Sequence, residues 1–504
     1  MFFAQNTLIW LLFLVLAYIT HKILPKTPIK ITTPNLNPKT ILALTLVAAV
    51  MLRFSTINLL TPLSDEGFYI YASKLVYDGY SPYLDFTYTQ QPLYLLITST
   101  LFRLMGVSIF AAKITPILAS SLTVLGVYLL ASRHFNEKTA VLCAAAIGLS
   151  PYVVKFTSIA ISYPEIIFLH TIATYFFFEG FKRGETSFFL LSGSLIALSS
   201  LYRVAGFIPL LPAAVFLTHK LKTKAAKPLI TLFLPVLAAT VTAFLILPHP
   251  QYVNQVFIDH MLYPNSGLLC KGRGLIHVLA SDPFFMVPAL IGVLLSLKSE
   301  NKKPVEEFML IYLFFSVSTI FALKYLCDFA HPFLYFTQSI IPMSVFAGRG
   351  FTYLSAKKYA VVSLLAALTV LYFIYFVTET YYDAAINQAA EYIEANTHPN
   401  DQIIGLSYLA GPVAFKAGRD IPLPFLEFFD LRLRVQGYEK NHYINLSENV
   451  THVVTYQNLK GFAEFKKYLI EHTVLVKKIG RLKPILILET RRGGVSRSRR
   501  TRSH

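Results

Sequence analysis

Apolar runs separated by short polar turns recur from the N-terminus through residue 378. Each run is about 17–25 residues long, enough to cross the ~30 Å hydrocarbon core of a bilayer as a helix. Runs at 5–22, 41–60, 110–131, 139–155, 164–180, 186–202, 204–219, 228–247, 284–298, 306–326, 331–349 and 358–378 predict a polytopic α-helical membrane protein of about 11–13 spans. The first run, Thr7 to Ile19, has no basic residue before it and no small-residue cleavage site. It is expected to be a retained anchor.

The pattern changes after residue 378. YYDAAINQAAEYIEANTHPNDQ and FAEFKKYLIEHTV carry helical periodicity, whereas IIGLSY, THVVTY and PILILE are short β-branched runs. A small α/β domain over 379–490 is predicted, followed by a basic disordered tail over 491–504. Two acceptor sequons, Asn445-Leu-Ser447 and Asn449-Val-Thr451, fall in that domain.

The longest polar interruption of the N-terminal half runs from Ser64 to Tyr94, SDEGFYIYASKLVYDGYSPYLDFTYTQQPLY. It opens on adjacent acids, Asp65 and Glu66, just past an apolar run. Carboxylates at the mouth of a span are costly unless solvated or used. Ser64 suits an N-cap, and acids in a first helical turn are also favoured by the helix dipole alone. Residues 92–106 (PLYLLITSTLFRLMG) carry Arg103 and are read as an interfacial or re-entrant helix, so 61–109 forms one loop with an interfacial helix.

Composition supports the membrane assignment. Of 504 residues, 55% are hydrophobic and 14% charged, against about a quarter charged in soluble proteins. The net charge of +18 does not point to nucleic acid, because six arginines sit in the last fourteen residues and most other basic residues lie in short loops. One alternating set of loops holds eighteen Lys and Arg, from Lys22 to Lys358, and the other, counted without 92–109, holds six: Lys74, Lys155, Arg203, Lys271, Arg273 and Lys324. The positive-inside rule makes the first set cytoplasmic and turns Asp65, Glu66 and everything after 378 outward. This parity requires that 92–106 not cross. Cys143, Cys270 and Cys327 have neither metal nor redox spacing; free packing cysteines are the favoured reading, with Cys270 and Cys327 meeting on one side of the membrane as the alternative.

Further candidate residues lie in the outward loops. Glu165 follows Pro164 at the start of a span, a place equally suited to a helix-start acid and to a second catalytic carboxylate. Arg203 interrupts an apolar stretch, either snorkelling to an interface or binding a lipid phosphate. In the loop 248–283, Lys271-Gly-Arg273-Gly suits phosphate contact, because glycines let backbone amides approach an anion. His249, Asp259, His260 and His277 match no metal-ligand spacing. A further outward turn holds Lys324, Asp328, His331 and Tyr335.

The run LSDEGFYIYASKLVYDGYSPYLDFTYTQQPLYLL resembles the first external loop of the GT-C glycosyltransferases, in particular family 39, the protein-mannosyltransferase and aminoarabinose-transferase branch. Asp65-Glu66, Gly79 to Phe86 and Gln91-Pro92-Leu93-Tyr94 match its acidic pair, its G-x-x-P-Y-x-D-F-like stretch and its Q-P-P-L-Y-like ending. GLSPYVVKFTSIAISYPEIIF, LYRVAGFIPLLP and HPFLYFTQSIIP extend the likeness over most of 40–350. The resemblance implies a GT-C-like catalytic domain over 1–378. It also implies inverting transfer of a sugar from a dolichyl- or undecaprenyl-phosphate donor to a protein, lipid or glycan acceptor, on the outer face of the plasma membrane. Asp65 would match the catalytic acid, assisted by Glu66. Glu165, Asp85, Tyr69 and Gln91 would bind acceptor and sugar, and Arg203, Lys271 and Arg273 the donor phosphate. No cofactor is implied, though a divalent cation is compatible with the wider superfamily. Gln91 stands where the aminoarabinose branch has a lysine, and Leu93 replaces the second proline. The competing class is a transporter or flippase of lipid-linked substrates. Against it, the chain shows no internal repeat, and its acids lie at span mouths rather than mid-span.

Overall fold

The computed structural model describes residues 37–60, 65–262, 267–322, 336–354, 383–405, 407–422, 450–456, 469–471, 473–480 and 484–490. The expected spans 5–22 and 358–378, Ser64, the Lys324–Tyr335 turn, the asparagines of both sequons and the basic tail lie outside these residues. The chain divides into two compact units. One comprises Met1–Leu59, Val76–Gly79 and Thr89–Thr380; the other comprises Leu60–Leu75, Tyr80–Tyr88 and Tyr381–His504.

The first unit is a bundle of apolar helices. Among the described residues, Ile109–Ser132 and Pro304–Ala322 are each long and apolar enough to cross a membrane. Val204–Ile246 also qualifies, but its 43 residues are interrupted at Lys222, whose φ is +49°. Two separate helices result, Leu210–Leu221 and Ala226–Ile246. Two expected spans are broken instead of straight. Glu137–Leu149 bends by 59° into Pro151–Thr157, and Leu268–Ser281 bends by 106° into Pro283–Lys298. Proline at the start of each second helix removes an amide that could have continued the first. Where helices approach closely, glycine is required. A Cβ at Gly292 would lie 1.9 Å from the Phe346 carbonyl oxygen, and one at Gly350 1.9 Å from that of Pro288. Backbone contact of this kind replaces the hydrophobic drive that helices lack in lipid. Farther in, Phe178 and Phe216 pack edge to face on Phe177 or Phe308 with centroids 5.3–5.9 Å apart, and Phe177 and Phe308 meet at a tilt, 5.0 Å apart.

Helix direction alternates, and ion pairs mark one end of the bundle. Glu179 pairs with Arg183 at 2.9 Å and Arg133 at 3.5 Å. Glu307 pairs with Lys220 and His219, Glu306 with Arg349, and Lys303 donates to the His134 carbonyl at 2.6 Å. Five of the basic loops assigned to one side by charge therefore meet at one end. At the opposite end, Arg53 is fully buried and donates to Ser120 Oγ at 2.9 Å and to the carbonyls of Ala49 and Gly148, both at 3.0 Å. Lys113 donates to the Thr56 carbonyl at 3.3 Å and also to that of Leu59. The helix Pro38–Phe54 thus finishes where Ile109–Ser132 begins, and residues 55–108 leave and return at one end. Leu93–Met105 has 13 residues, about 20 Å of helix, too short to span. This is the parity that the charge count required.

The second unit holds a four-stranded sheet in the order β1-β2-β4-β3, with β1 Gln402–Gly405, β2 Val450–Tyr456, β3 Thr473–Ile479 and β4 Ile485–Thr490. β1 and β2 are parallel; β4 runs antiparallel to both neighbours. The parallel pair needs a crossover, and Ser407–Ala417 is a helix of that connection. A helix over 383–396 precedes the sheet. Arg419 closes the helix–sheet junction, donating to the carbonyls of Glu394 and Thr397 at 3.1 and 3.0 Å. The C-terminal region is thus the expected α/β fold.

Candidate active site

Asp65 is half-buried, one residue ahead of the helix Glu66–Tyr77. Its carbonyl accepts the Tyr69 amide at 3.0 Å, and Glu66 is fully buried in the first turn. Residues on both sides of this acidic turn are tied into the second unit. The Leu60 amide donates to Asp383 Oδ1 at 3.0 Å, and Asp383 also accepts from Lys416 at 2.8 Å and Asn387 at 3.0 Å. A Cβ at Gly67 would lie 2.0 Å from Pro412 Cγ, so only glycine lets the acidic helix seat on Ser407–Ala417. The Tyr71 hydroxyl receives the Ile421 amide at 2.8 Å and donates to Asp420 at 3.3 Å.

The G-x-x-P-Y-x-D-F-like stretch folds back on itself. Asp85 Oδ2 accepts the Ser81 amide at 2.6 Å, and the Tyr83 amide donates to Phe86 at 3.0 Å with Tyr83 at φ +71°. The Asp85 carboxylate holds its own turn, which forces Tyr83 into a region sparsely used by non-glycine residues. Tyr69 is buried against Phe68 and Tyr88, at centroid distances of 5.3 and 6.1 Å.

The remaining candidates belong to the helical unit and share the end opposite the ion pairs. Gln91 is buried, and its Oε1 accepts the Tyr252 hydroxyl at 2.8 Å. Glu165 lies in the first turn of Tyr163–Arg183 and is 5% exposed. Among the described residues, neither of its carboxylate oxygens has a hydrogen-bond partner; Thr115 stands beside it without reaching bonding geometry. Arg203 sits at a break between helices, its guanidinium 4.6 Å from the Tyr163 ring centroid. The break is the 3₁₀ turn Val204–Phe207. His170 Nε2 lies 3.0 Å from the Gly206 carbonyl oxygen, which can only accept, so Nε2 carries the proton. Nδ1 then accepts from the Tyr312 hydroxyl at 3.0 Å. His170 is thereby a bonded core residue that fixes the turn beside Arg203.

Lys271 is buried and donates to the Phe321 carbonyl at 2.7 Å, whereas Arg273 is exposed. Both lie on the helix Leu268–Ser281, not in a glycine-rich loop. The amides of Cys270 and Lys271 already bond Gly267. The expected backbone cradle for an anion is therefore absent at this stretch, because helix formation commits those amides. Cys143 is a free buried thiol as expected, but Cys270 is disulfide-bonded, which corrects its reading as a free packing cysteine. No group of three His, Cys, Asp or Glu side chains among the described residues is placed to hold a metal.

Sequence reasoning passed over Asp282. It is fully buried at the 106° corner and accepts from the Ser150 hydroxyl at 2.5 Å, the Tyr152 amide at 3.2 Å and the Phe285 amide at 3.1 Å. It also gave no role to Gln338 and Ser339, two buried polar residues of the Thr337–Ser339 turn.

Residues 89–251, which hold Gln91, Glu165 and Arg203, match the family described as dolichyl-phosphate-mannose-protein mannosyltransferase. The fold is shared with ArnT from Cupriavidus metallidurans. The apo structure has a TM-score of 0.63 at 13% identity, and the structure bound to undecaprenyl phosphate 0.61 at 12%; both cover 90% of this chain and 98% of that one. The oligosaccharyltransferase of Archaeoglobus fulgidus tethered to an acceptor peptide has a TM-score of 0.54 at 13% identity, covering 90% of this chain and 76% of that one. No curated protein sequence matches the chain. The chain thus has the fold of these membrane proteins, and the family match spans residues 89–251 of it. Over residues 89–251 it is similar to the dolichyl-phosphate-mannose-protein mannosyltransferases.

Proposed function

We propose that the protein transfers a sugar from a polyprenyl-phosphate donor to an acceptor on the outer face of the plasma membrane, with inversion. The observation that carries this reading is Glu165, a buried carboxylate with neither oxygen partnered among the described residues, at the end of the bundle that also holds Arg203, Lys271 and Gln91. An unpaired carboxylate is costly to bury. A ligand bearing hydroxyls relieves that cost, and cations elsewhere at the same end suit a phosphate leaving group.

In the transfer, an acceptor hydroxyl oxygen attacks the anomeric carbon while the bond to the phosphate oxygen breaks. The phosphate leaves with the bonding electron pair towards Arg203, Lys271 and Arg273. Asp65 positions the acceptor and takes its proton, with Glu66 orienting it. In-line displacement inverts the anomeric centre. Support for the outward orientation is the loop charge bias together with the return of residues 55–108 to one end.

The test is transfer by purified protein from a panel of radiolabelled polyprenyl-phosphate sugars, comparing wild type with Asp65→Asn. A fall of about a hundredfold or more is expected; unchanged transfer would sink the assignment of Asp65. For orientation, a cysteine replacing the exposed Tyr80 should label from outside intact cells.

A further inference from the structure

At the mouth of Tyr163–Arg183, Glu165 is one of several buried polar groups without partners. Among the described residues, the Gln338 amide nitrogen and oxygen and the hydroxyls of Ser339, Ser162 and Thr115 also lack hydrogen bonds, and Gln338 is 1% and Ser339 0% exposed. Elsewhere in this bundle, among the described residues, Thr98 and Ser121 are also unpartnered, but singly, and many buried hydroxyls bond their own helix. Thr171 bonds the Ile167 carbonyl at 2.8 Å, Thr174 that of His170 at 2.7 Å, and Ser316 that of Tyr312 at 2.8 Å. The unsatisfied groups are therefore not a general property of this core.

Packing brings these groups to one level. Pro304–Ala322 runs antiparallel to Tyr163–Arg183: Phe308 packs on Phe177 with centroids 5.0 Å apart, and one turn on Tyr312 meets His170. One further turn on, the Ser316 hydroxyl lies 3.4 Å from the Gln338 carbonyl oxygen; the antiparallel run sets this turn level with the helix start that carries Ser162 and Glu165, and Thr337–Ser339 neighbours Tyr163–Arg183. Phe336 stacks at 6.1 Å from Tyr152, which holds the Thr337–Ser339 turn against the same end.

We propose that Gln338 and Ser339, with Ser162 and Glu165, form the subsite that recognises the hydroxyls of the transferred sugar. This inference rests on the transferase reading. Each sugar hydroxyl both donates and accepts, as a primary amide does, and a carboxylate takes the donated proton. Neutral amide and hydroxyl groups beside a carboxylate give a phosphate no cation to pair with. The chemistry of this cluster suits an uncharged polyol ring, and the cations placed elsewhere at this end are left for the phosphate.

The test uses the full-length protein in detergent, titrated with undecaprenyl phosphate alone and with undecaprenyl phosphate carrying mannose, glucose, galactose or arabinose. Binding is read from the shift in unfolding temperature. For the sugar lipid that wild type prefers, Gln338→Met and Ser339→Ala should each weaken affinity about tenfold. Affinity for undecaprenyl phosphate alone should not change. Gln338→Met should also leave the ligand-free protein as stable as wild type or more so, which separates a recognition defect from misfolding. Equal affinity of wild type and variants for the sugar lipid would overturn the subsite and leave ordered water as what satisfies these groups. An equal loss for the bare lipid phosphate would overturn it by assigning them to the phosphate. Failure of wild type to bind either lipid would overturn the transferase reading and the subsite together, a pattern distinct from the other two.

Discussion

Asp282 and Glu165 are both buried carboxylates at the same end of the helical unit, each next to a proline that starts a helix. Asp282 precedes its proline. At that N-cap position a short side chain curls back onto the amide three residues on, and here it also collects a hydroxyl and an amide from the neighbouring break. Glu165 follows its proline and makes no such bond. Equal burial therefore hides a difference: one acid is consumed by the backbone, and the other has no partner among the described residues.

Removing the satisfied acid should have the larger effect. Asp282→Ala leaves a hydroxyl and two amides without their acceptor and frees both helix breaks. A loss of roughly 3–5 kcal/mol is expected, read as a lowered unfolding temperature in detergent. Glu165→Gln should do the reverse. Transfer should fall about a hundredfold, about 2.7 kcal/mol in the barrier, while the unfolding temperature holds or rises because a buried unpaired charge is gone. If Glu165→Gln unfolds the protein as Asp282→Ala does, the contrast between the two acids fails.

The comparison sharpens in the second unit, where Asp383 is another saturated carboxylate close in sequence to no other candidate. Gly67→Ala drives a methyl into Pro412 and should cost about 2 kcal/mol by overpacking. Its turnover should drop more than its donor affinity, because the acidic turn rides on that contact. The smallest expected effect is a pH dependence. Burial lowers the His452 pKa below its ordinary value, with Glu489, its cross-strand partner, and Asp401 opposing more weakly. A histidine held neutral in the fold contributes stability that is full above its unfolded pKa near ~6.5 and is lost as pH falls from there towards the folded value. Protection factors of β2 amides, corrected for intrinsic exchange, should fall between about pH 7.5 and 5.5, and His452→Gln should remove that slope.

The bundle was legible because apolar run length and loop charge are summed over many residues. The expected spans at 110–131, 164–180 and 186–202 coincide with helices to within a few residues. The helix breaks at Ser150 and Asp282 were not legible, since a run of apolar residues reads alike whether straight or bent. Asp65, Glu66 and Glu165 stood out because a charge beside an apolar run has few benign explanations. Gln338 and Ser339 did not, because serine and threonine in such helices usually bond their own preceding turn, as Thr171 and Ser316 do. Only coordinates separate a hydroxyl bonded to its own helix from one left open. The Lys271–Gly274 stretch misled for a related reason: glycine suggests a loop, but two glycines among good helix formers do not prevent a helix.

The chain leaves and re-enters the helical unit at the same end between residues 55 and 108. An excursion of this kind has even parity: lengthening, shortening or replacing it inverts none of the helices that follow. The length of this segment can thus change while the orientation of the remaining spans stays fixed.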